Sequence, residues 1–429
     1  LQMHGQVLEV LHSFEEIDGA SPFANLVEGN DGLFYGTTSE GGVYTNSAGK
    51  GFGTIFKITT NGVLTSLVSF DGTNGANPWA ALIQAADGDF YGNTRYGGTN
   101  GTLFKITSQG QLTVLRELYY GIGTSPRIPL LESEGYFYGS TDSGGNANGI
   151  INGPTLFKMT PTGELTTLRV FGGLTNISNC EGLIKASDGH LYGISQSGGT
   201  NRQGTAFRMD ASGATTRLAH FSTAVTGFSP NSIVDGGDGS IYVTARAGGT
   251  YNNGTLVQWT SAGQLNCLLS FNTLTNGNTP NSLVLGRDGN LYGTTRDGGP
   301  GKGWGTVFKA TRQGVVTTLA VFKFLNGWEP NGVIQGKDGN LYGTTRRGGT
   351  HDCGTVFRVV LPTLRSERDG NNIVVSWPTN QTGFTLQFST NAPLPTDWMI
   401  VPDSPALSNG RYVITNTTAS GARFFRLHK

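Results

Sequence analysis

The stretch Lys337-Asp338-Gly339-Asn340-Leu341-Tyr342-Gly343-Thr344-Thr345 decides the fold of this chain. It recurs with variation seven times, about every 51 residues. The tyrosines at its centre are Tyr35, Tyr91, Tyr138, Tyr192, Tyr242, Tyr292 and Tyr342. Self-similarity at a period near 50 residues is typical of repeat architectures, and four strands per repeat are typical of propeller blades.

Each copy contains four short apolar runs, which we predict to be the strands of one blade. In the sixth copy they cover residues 280–285, 291–295, 305–309 and 315–322. β-branched and aromatic residues dominate the runs, and Gly, Asp and Asn bound them, as is usual for strands. Leu291 and Tyr292 point to opposite faces of a strand, so both are buried only if the blade is stacked between two others. Gly293 beside them predicts a close approach of backbones.

The last copy lacks its fourth run, because the chain passes from Phe357 to Leu361 and Pro362. The matching run is residues 5–14 at the other end. Its ring-closing side chains are Val7, Leu8, Val10, Leu11 and Phe14. We predict that this strand completes the last blade and removes an exposed sheet edge. The expected fold is all-β, a seven-bladed propeller over residues 1–361.

The repeat stops at Pro362, and residues 362–429 contain five short strand-like runs. They predict a small β-sandwich of the immunoglobulin or fibronectin type. A module of this size more often anchors or docks a protein than carries chemistry.

The charge balance and the cysteines narrow the functional classes. With 29 basic and 29 acidic residues the net charge is zero, which argues against nucleic acid or an anionic membrane as the main partner. No run approaches the ~20 apolar residues of a transmembrane helix. The chain begins at Leu1 rather than Met, so we expect a secreted, extracellular or cell-surface protein whose signal peptide has been removed. Cys180, Cys267 and Cys353 suggest neither a disulfide nor a metal site.

No catalytic residue, cofactor or metal is predicted. One Asp precedes Gly in six of the hairpin turns, whereas a calcium loop needs several converging oxygen ligands, so we interpret these as turn residues. The six histidines follow no repeat position, and the sequence contains no His-Glu-x-x-His, Gly-x-Ser-x-Gly or P-loop motif.

The loops from the second to the third strand, and from each blade to the next, are long and variable, which is where propellers usually carry function. We predict a partner or ligand surface there, composed of Tyr44, Trp79, Tyr119, Tyr120, Tyr251, Trp304, Trp328 and His351. The alternative is that some of these aromatics only pack the loops. A partial cationic ring, or else arginines paired with local carboxylates, is predicted from the repeat position of Arg95, Arg246, Arg296 and Arg346.

Three linked motifs recur in order, Asp-Gly-x-Leu-Tyr-Gly-Thr-Thr, Gly-Gly-x-Gly-Thr-x-Phe-Lys and Gly-x-Leu-Thr-x-Leu-x-x-Phe. Over residues 5–360 they resemble the GloVer tandem repeat of secreted bacterial proteins with varied C-terminal anchors. The tail resembles a module common on exported proteins of the same bacteria. The resemblance implies export and surface association and brings no catalytic residues. The fifth copy departs most, with Val243 in place of Gly and Val257 in place of Phe.

We therefore expect a non-enzymatic extracellular structural protein that forms a homo-oligomer or homo-polymer, such as a filament, tube or surface layer. The propeller of one subunit would contact the sandwich of the next. The alternative is a glycan- or ligand-binding module. A polysaccharide-acting enzyme ranks third, because it needs two facing carboxylates, or a Tyr/His pair, at the axis.

Deleting residues 1–14 is expected to open the ring, because the last blade then presents an unpaired strand. Thermal unfolding and sedimentation would show lower stability and association. A truncated chain that stays monomeric with unchanged thermal stability would contradict the predicted closure.

Overall fold

The structure is a computed structural model. It describes residues 7–147, 149–172, 179–210, 212–223, 225–361, 364–370, 372–378, 385–390, 398–408, 410–417 and 424–428. These residues form β-strands and one 3-10 turn at Phe324–Asn326, with no helix long and apolar enough to cross a membrane. Residues 9–358 form one compact unit, and the residues from 359 onward, with Val7 and Leu8, form a second. The first six residues of the predicted closing segment lie outside the described residues.

In the described part of the chain, the strands between Val7 and Val360 form seven antiparallel sheets, named here sheets 1 to 7 in chain order. The first strand, β1 (Val7–Ser13), belongs to sheet 7. Sheet 1 contains β2 (Ala20–Pro22), β3 (Val27–Glu28), β4 (Phe34–Glu40), β5 (Thr54–Ile58) and β6 (Leu64–Ser69). Sheet 2 contains β7 (Ile83–Gln84), β8 (Phe90–Thr94), β9 (Thr102–Ile106) and β10 (Leu112–Glu117). Sheet 3 contains β11 (Ile122–Pro126), β12 (Leu131–Ser133), β13 (Tyr136–Ala147), β14 (Ile150–Met159) and β15 (Leu165–Val170).

The remaining sheets keep the same order of four strands. Sheet 4 contains β16 (Cys180–Lys185), β17 (Leu191–Ser195), β18 (Thr205–Met209) and β19 (Thr215–His220). Sheet 5 contains β20 (Phe228–Asp235), β21 (Ile241–Ala247), β22 (Thr255–Trp259) and β23 (Leu265–Ser270). Sheet 6 contains β24 (Asn278–Leu285), β25 (Leu291–Asp297), β26 (Thr306–Ala310) and β27 (Val316–Val321). Sheet 7 contains β28 (Trp328–Gln335), β29 (Leu341–Arg347), β30 (Thr355–Val360) and β1.

The Asp-Gly-x-Leu-Tyr motif is a self-contained turn. In sheet 5 one oxygen of Asp238 accepts a hydrogen bond from the backbone N–H of Ser240 (2.9 Å), and the other accepts one from the Tyr242 hydroxyl (3.0 Å). The same Tyr–Asp bond occurs at Tyr35, Tyr91, Tyr192, Tyr292 and Tyr342. Burial, reinforced by this bond, raises the pKa of Tyr242 to about 12. The aspartates therefore act as turn residues that also anchor the buried tyrosines.

The glycine after the tyrosine lies where backbones and rings meet, as predicted. A Cβ on Gly293 would stand 2.3 Å from the Ser282 carbonyl oxygen and 2.6 Å from the Phe308 ring. In sheet 5 the same cross-strand pair is Val243 and Val257, both fully buried. Two valines replace a glycine and a phenylalanine, so the departures of the fifth copy compensate each other in volume.

Hydrophobic clusters lie between neighbouring sheets, so both faces of each sheet are covered. Leu291 and Tyr292 are both buried, at 0% and 3% exposure, as their adjacency in sequence predicts. Between sheets 1 and 2 the rings of Tyr35 and Phe90 stack at 4.0 Å. Between sheets 6 and 7, Phe357 meets the ring of Phe322, which follows β27, at 4.9 Å.

Sheet 7 contacts sheet 1 through the contacts that join the other neighbours. The rings of Phe34 and Tyr342 stack at 4.1 Å. The Lys337 N–H donates to Glu28 (2.8 Å), as the Asn30 N–H donates to Gln84 (2.9 Å) between sheets 1 and 2. The same contact recurs between sheets 2 and 3, 4 and 5, and 6 and 7.

Strand β1 pairs with β30 and supplies the fourth strand of sheet 7. Phe14 is fully buried, and its N–H donates to the Gly354 carbonyl (3.0 Å). Leu11 is half-buried and packs against the hydrophobic cluster that contains Phe14, Phe56 and Val356. Of the other predicted ring-closing residues, Leu8 is half-buried, and Val7 and Val10 are exposed at about 40%. The side chains of Leu11 and Phe14 therefore provide most of the apolar contact.

The second unit contains two small sheets that share one hydrophobic cluster. The first is ordered β31 (Arg365–Asp369), β32 (Asn372–Pro378), β36 (Arg411–Thr417) and β35 (Ala406–Ser408). The second is ordered β34 (Met399–Ile400), β33 (Thr385–Ser389) and β37 (Phe424–His428). Val375, Trp377 and Ile414 of the first sheet pack with Leu386 of the second. The predicted runs here fall partly on residues outside the described ranges.

The buried tyrosines predict a loss of stability at alkaline pH. Burial and the bond to the turn aspartate raise the pKa of Tyr91, Tyr242 and Tyr342 to about 12, above the ~10 of an unfolded tyrosine. The folded state therefore holds these protons more tightly, and its stability falls as pH rises from about 10 through 12. Urea unfolding at pH 8 to 12 measures this fall.

The Tyr242→Phe variant should have a free energy of unfolding about 1–2 kcal/mol lower than that of the wild type at pH 8, because its hydrogen bond to Asp238 is lost. Above pH 10 this free energy should fall less steeply with pH than in the wild type. Tyr120→Phe, in an exposed loop, is the matched control. An identical alkaline slope in wild type and Tyr242→Phe would contradict this reading.

Candidate binding surfaces

The connections from the second to the third strand and from each sheet to the next leave the sheets at one end, because consecutive strands are antiparallel. We call this end the loop face. Large apolar side chains are exposed on it, at 83% for Ile151, 79% for Leu325 and 74% for Leu274. The turns of the opposite end expose Val63 and Val315.

The predicted aromatic residues separate into two groups. Tyr44, Tyr119, Tyr120, Tyr251, Trp304 and His351 are exposed on the loop face. Trp79 and Trp328 are half-buried. Trp328 packs edge-on against Trp304 at 4.5 Å, with Arg347 5.5 Å above its ring. The first group is available to a partner, whereas Trp328 supports Trp304.

Trp79 lies in a stack of four side chains from three sheets. Its ring is stacked on Phe23 at 4.8 Å, and the Arg95 guanidinium lies 3.8 Å above it. Arg346 lies 5.0 Å from the Phe23 ring. Trp79 is therefore covered on both faces of its ring, which corresponds to the predicted alternative that some of these aromatics pack the loops.

Each of the predicted arginines is paired with a carboxylate that also lies close to a second arginine. Asp142 lies 3.3 Å from Arg95 and 3.8 Å from Arg127. Glu181 lies 3.1 Å from Arg127 and 3.9 Å from Arg246. These arginines are therefore paired with carboxylates, as the second of the two sequence-based predictions has it.

Glu329 plays the same part for Arg296 (2.8 Å) and Arg346 (3.4 Å). Asp297 also lies 4.0 Å from Arg296, so five arginines share four carboxylates in these networks, which leaves one excess positive charge.

Burial governs the electrostatics of this region. The Glu181 side chain is only 5% exposed, and burial raises the pKa of its carboxyl group although Arg127 and Arg246 oppose the rise. Burial lowers the pKa of the Arg246 guanidinium. Within the described residues, no group of three or more His, Cys, Asp or Glu side chains could hold a metal ion.

Sequence reasoning missed Arg127 and Glu181, and a signal for them exists. In most repeats the first strand contains a proline, which Cys180 replaces in the fourth repeat. Arg127 and Glu181 both occupy the position directly after it. Sheets 5 to 7 have asparagine there, at Asn231, Asn281 and Asn331. A comparison of the seven copies at that position would have singled them out.

The sequence profile of the Gloeobacter/Verrucomicrobia repeat matches residues 1–185 and 179–385. The chain belongs to this family. The Gloeobacter/Verrucomicrobia repeat thus covers the seven sheets. No curated protein matches this member of the family in sequence.

Solved structures similar to this Gloeobacter/Verrucomicrobia repeat protein share its fold at low identity. The extracellular domain of a hybrid two-component system from B. thetaiotaomicron has a TM-score of 0.57 and 10% identity, over 89% of this chain and 42% of that one. The extracellular domain of a one-component system from the same organism has a TM-score of 0.56 and 12% identity, over 93% of this chain and 48% of that one. A puromycin hydrolase has a TM-score of 0.53 and 11% identity, over 86% of this chain and 61% of that one. The chain thus spans under half the length of the first two, and the likeness supports a propeller-like all-β fold.

The Glu329→Gln variant is expected to lower the unfolding free energy by about 1–2 kcal/mol, because Arg296 and Arg346 lose their shared, largely buried carboxylate. Glu164→Gln, which removes the same charge from an exposed turn, should change it by less than ~0.5 kcal/mol. Urea unfolding at low and high salt measures both. Equal stability of the two variants would show that Glu329 is not a structural bridge.

Proposed function

We propose that this protein is a non-enzymatic extracellular structural module that assembles with copies of itself. In this proposal sheets 1 to 7 are the blades of a closed seven-bladed propeller and the second unit is a small β-sandwich. The loop face of one subunit binds the C-terminal unit of the next.

The distribution of exposed apolar side chains supports this assembly. Ile151, Leu274 and Leu325 are exposed on the loop face, as are Tyr120 and Trp304. Apolar side chains exposed together at one end of a protein can be covered by a partner protein. The formal net charge of zero favours association of like chains, because no overall repulsion opposes it.

The C-terminal unit offers a second apolar surface. Met399 and Ile400 form β34, an edge strand, and are exposed at 47% and 62%. Leu407, in the edge strand β35, is exposed at 71%. Unprotected edge strands bearing apolar side chains promote pairing with another chain. Two different surfaces that bind each other give a head-to-tail contact, which propagates as a filament unless it closes into a ring.

The test is sedimentation and electron microscopy of the full chain over a concentration series. We expect ordered assemblies for the wild type. The double variant Ile151→Lys/Leu325→Lys should stay monomeric, because charged side chains on the loop face cannot be buried unpaired.

The control is Val63→Lys/Val315→Lys, which adds the same charge at two similarly exposed residues on the opposite end. It should assemble like the wild type. A wild type that is monomeric at every concentration would refute self-assembly, and equal behaviour of the two double variants would refute the loop face as the contact.

A further inference from the structure

One position of the first strand divides the repeats into two sets. In sheets 5 to 7 it is asparagine, and each side-chain amide donates to a carbonyl of the next sheet. Asn231 donates to Pro280 (2.9 Å), Asn281 to Asn331 (2.8 Å) and Asn331 to Pro22 (2.6 Å). In sheets 1 to 4 the same position holds Phe23, Trp79, Arg127 and Glu181.

All seven residues of this position line one cavity of about 280 Å³. Arg246 also lines it, while Arg296 and Arg346, at the same repeat position as Arg246, do not. If all seven repeats were alike at this position, seven asparagines would line the cavity, each bonded to a carbonyl of the next sheet. The four substitutions instead give the cavity an aromatic side next to two guanidinium groups and one carboxylate.

The cavity contains a polar group that the fold leaves unsatisfied. Glu181 Oε1 is buried and lies 3.1 Å from Arg127 Nη2, but without hydrogen-bond geometry, so no described residue donates to it. A buried carboxylate oxygen without a donor is costly. A ligand hydroxyl would supply the missing donor.

The charge and the size of the cavity define the remaining chemistry. Arg127 and Arg246 flank Glu181, the one carboxylate of the cavity lining, while Asp142 lies 3.8 Å from Arg127 outside the lining. Guanidinium groups bind carboxylates through paired hydrogen bonds. A volume of about 280 Å³ lies at the lower end of the volumes of ligand sites. This space suits one sugar ring rather than a chain of sugars.

We propose that this axial cavity binds a small hydroxylated carboxylate, of the class of a single sugar acid. Its carboxylate lies between Arg127 and Arg246, and one of its hydroxyls donates to Glu181 Oε1. Ile151 and Leu325, the loop-face residues changed in the assembly test, do not line this cavity. The binding test and the assembly test therefore fail separately.

The test is calorimetric titration of the full chain with sodium D-glucuronate. D-glucose has the same ring without the carboxylate, glycine offers a carboxylate with an ammonium group, and sulfate is an anion without hydroxyls. We expect glucuronate to bind at least tenfold more tightly than each of them. Absence of binding at about 10 mM, or equal binding of any comparator, would overturn the proposal.

Two variants locate the site. Arg246→Lys and Arg127→Lys keep the charge but lose the planar fork, so each should weaken glucuronate binding at least tenfold. Arg296→Lys, at the same repeat position outside the cavity, is the matched control and should bind as the wild type does. Circular dichroism checks the fold of each variant. Equal affinities in Arg246→Lys, Arg127→Lys and Arg296→Lys would overturn the assignment.

Discussion

The architecture depends on the pairing of β1 with β30. Each sheet has apolar residues on both faces, so every sheet needs two neighbours, and an open row would leave two faces and one strand edge uncovered. Sheet 7 meets sheet 1 through a ring stack and through a hydrogen bond from a backbone N–H to a side-chain oxygen. The same kind of hydrogen bond joins sheets 1 and 2, 2 and 3, 4 and 5, and 6 and 7. With β1 in place, the seventh sheet has the same four strands as its neighbours. No disulfide takes part, since all three cysteines are free.

The repeated motifs combine local turn chemistry with contacts across strands. The turn aspartate holds both its own hairpin and the tyrosine four residues later. The threonines of Gly-Thr-Thr and Gly-Thr-x-Phe bond to each other across the middle strands, as Thr295 and Thr306 do at 2.8 Å. These interactions satisfy buried polar groups inside a sheet that has no solvent-exposed face. A repeat built in this way tolerates changes at other positions.

The strand order, the hairpins and the strand that completes sheet 7 followed from periodicity, because each rests on a pattern that recurs seven times. The two-sided burial of Leu291 and Tyr292 followed from their adjacency alone. Sequence reasoning did not find Arg127 and Glu181, because each occurs once and its partners come from other sheets. It left open whether Trp79 is exposed or packed, because the contacts with Phe23 and Arg95 come from side chains far apart in sequence. Periodicity predicts what copies share, whereas this cavity is made of what they do not share.

The pairing of β1 with β30 also sets an order on folding. The two strands are separated by about 340 residues, so a ribosome working at roughly 5–20 residues per second completes β30 some 20–70 seconds after β1. All strands of sheets 1 to 6 are synthesised within that interval, whereas β1 has no strand to pair with until β30 is made. The first strand made is thus the last strand of the seven sheets to be paired.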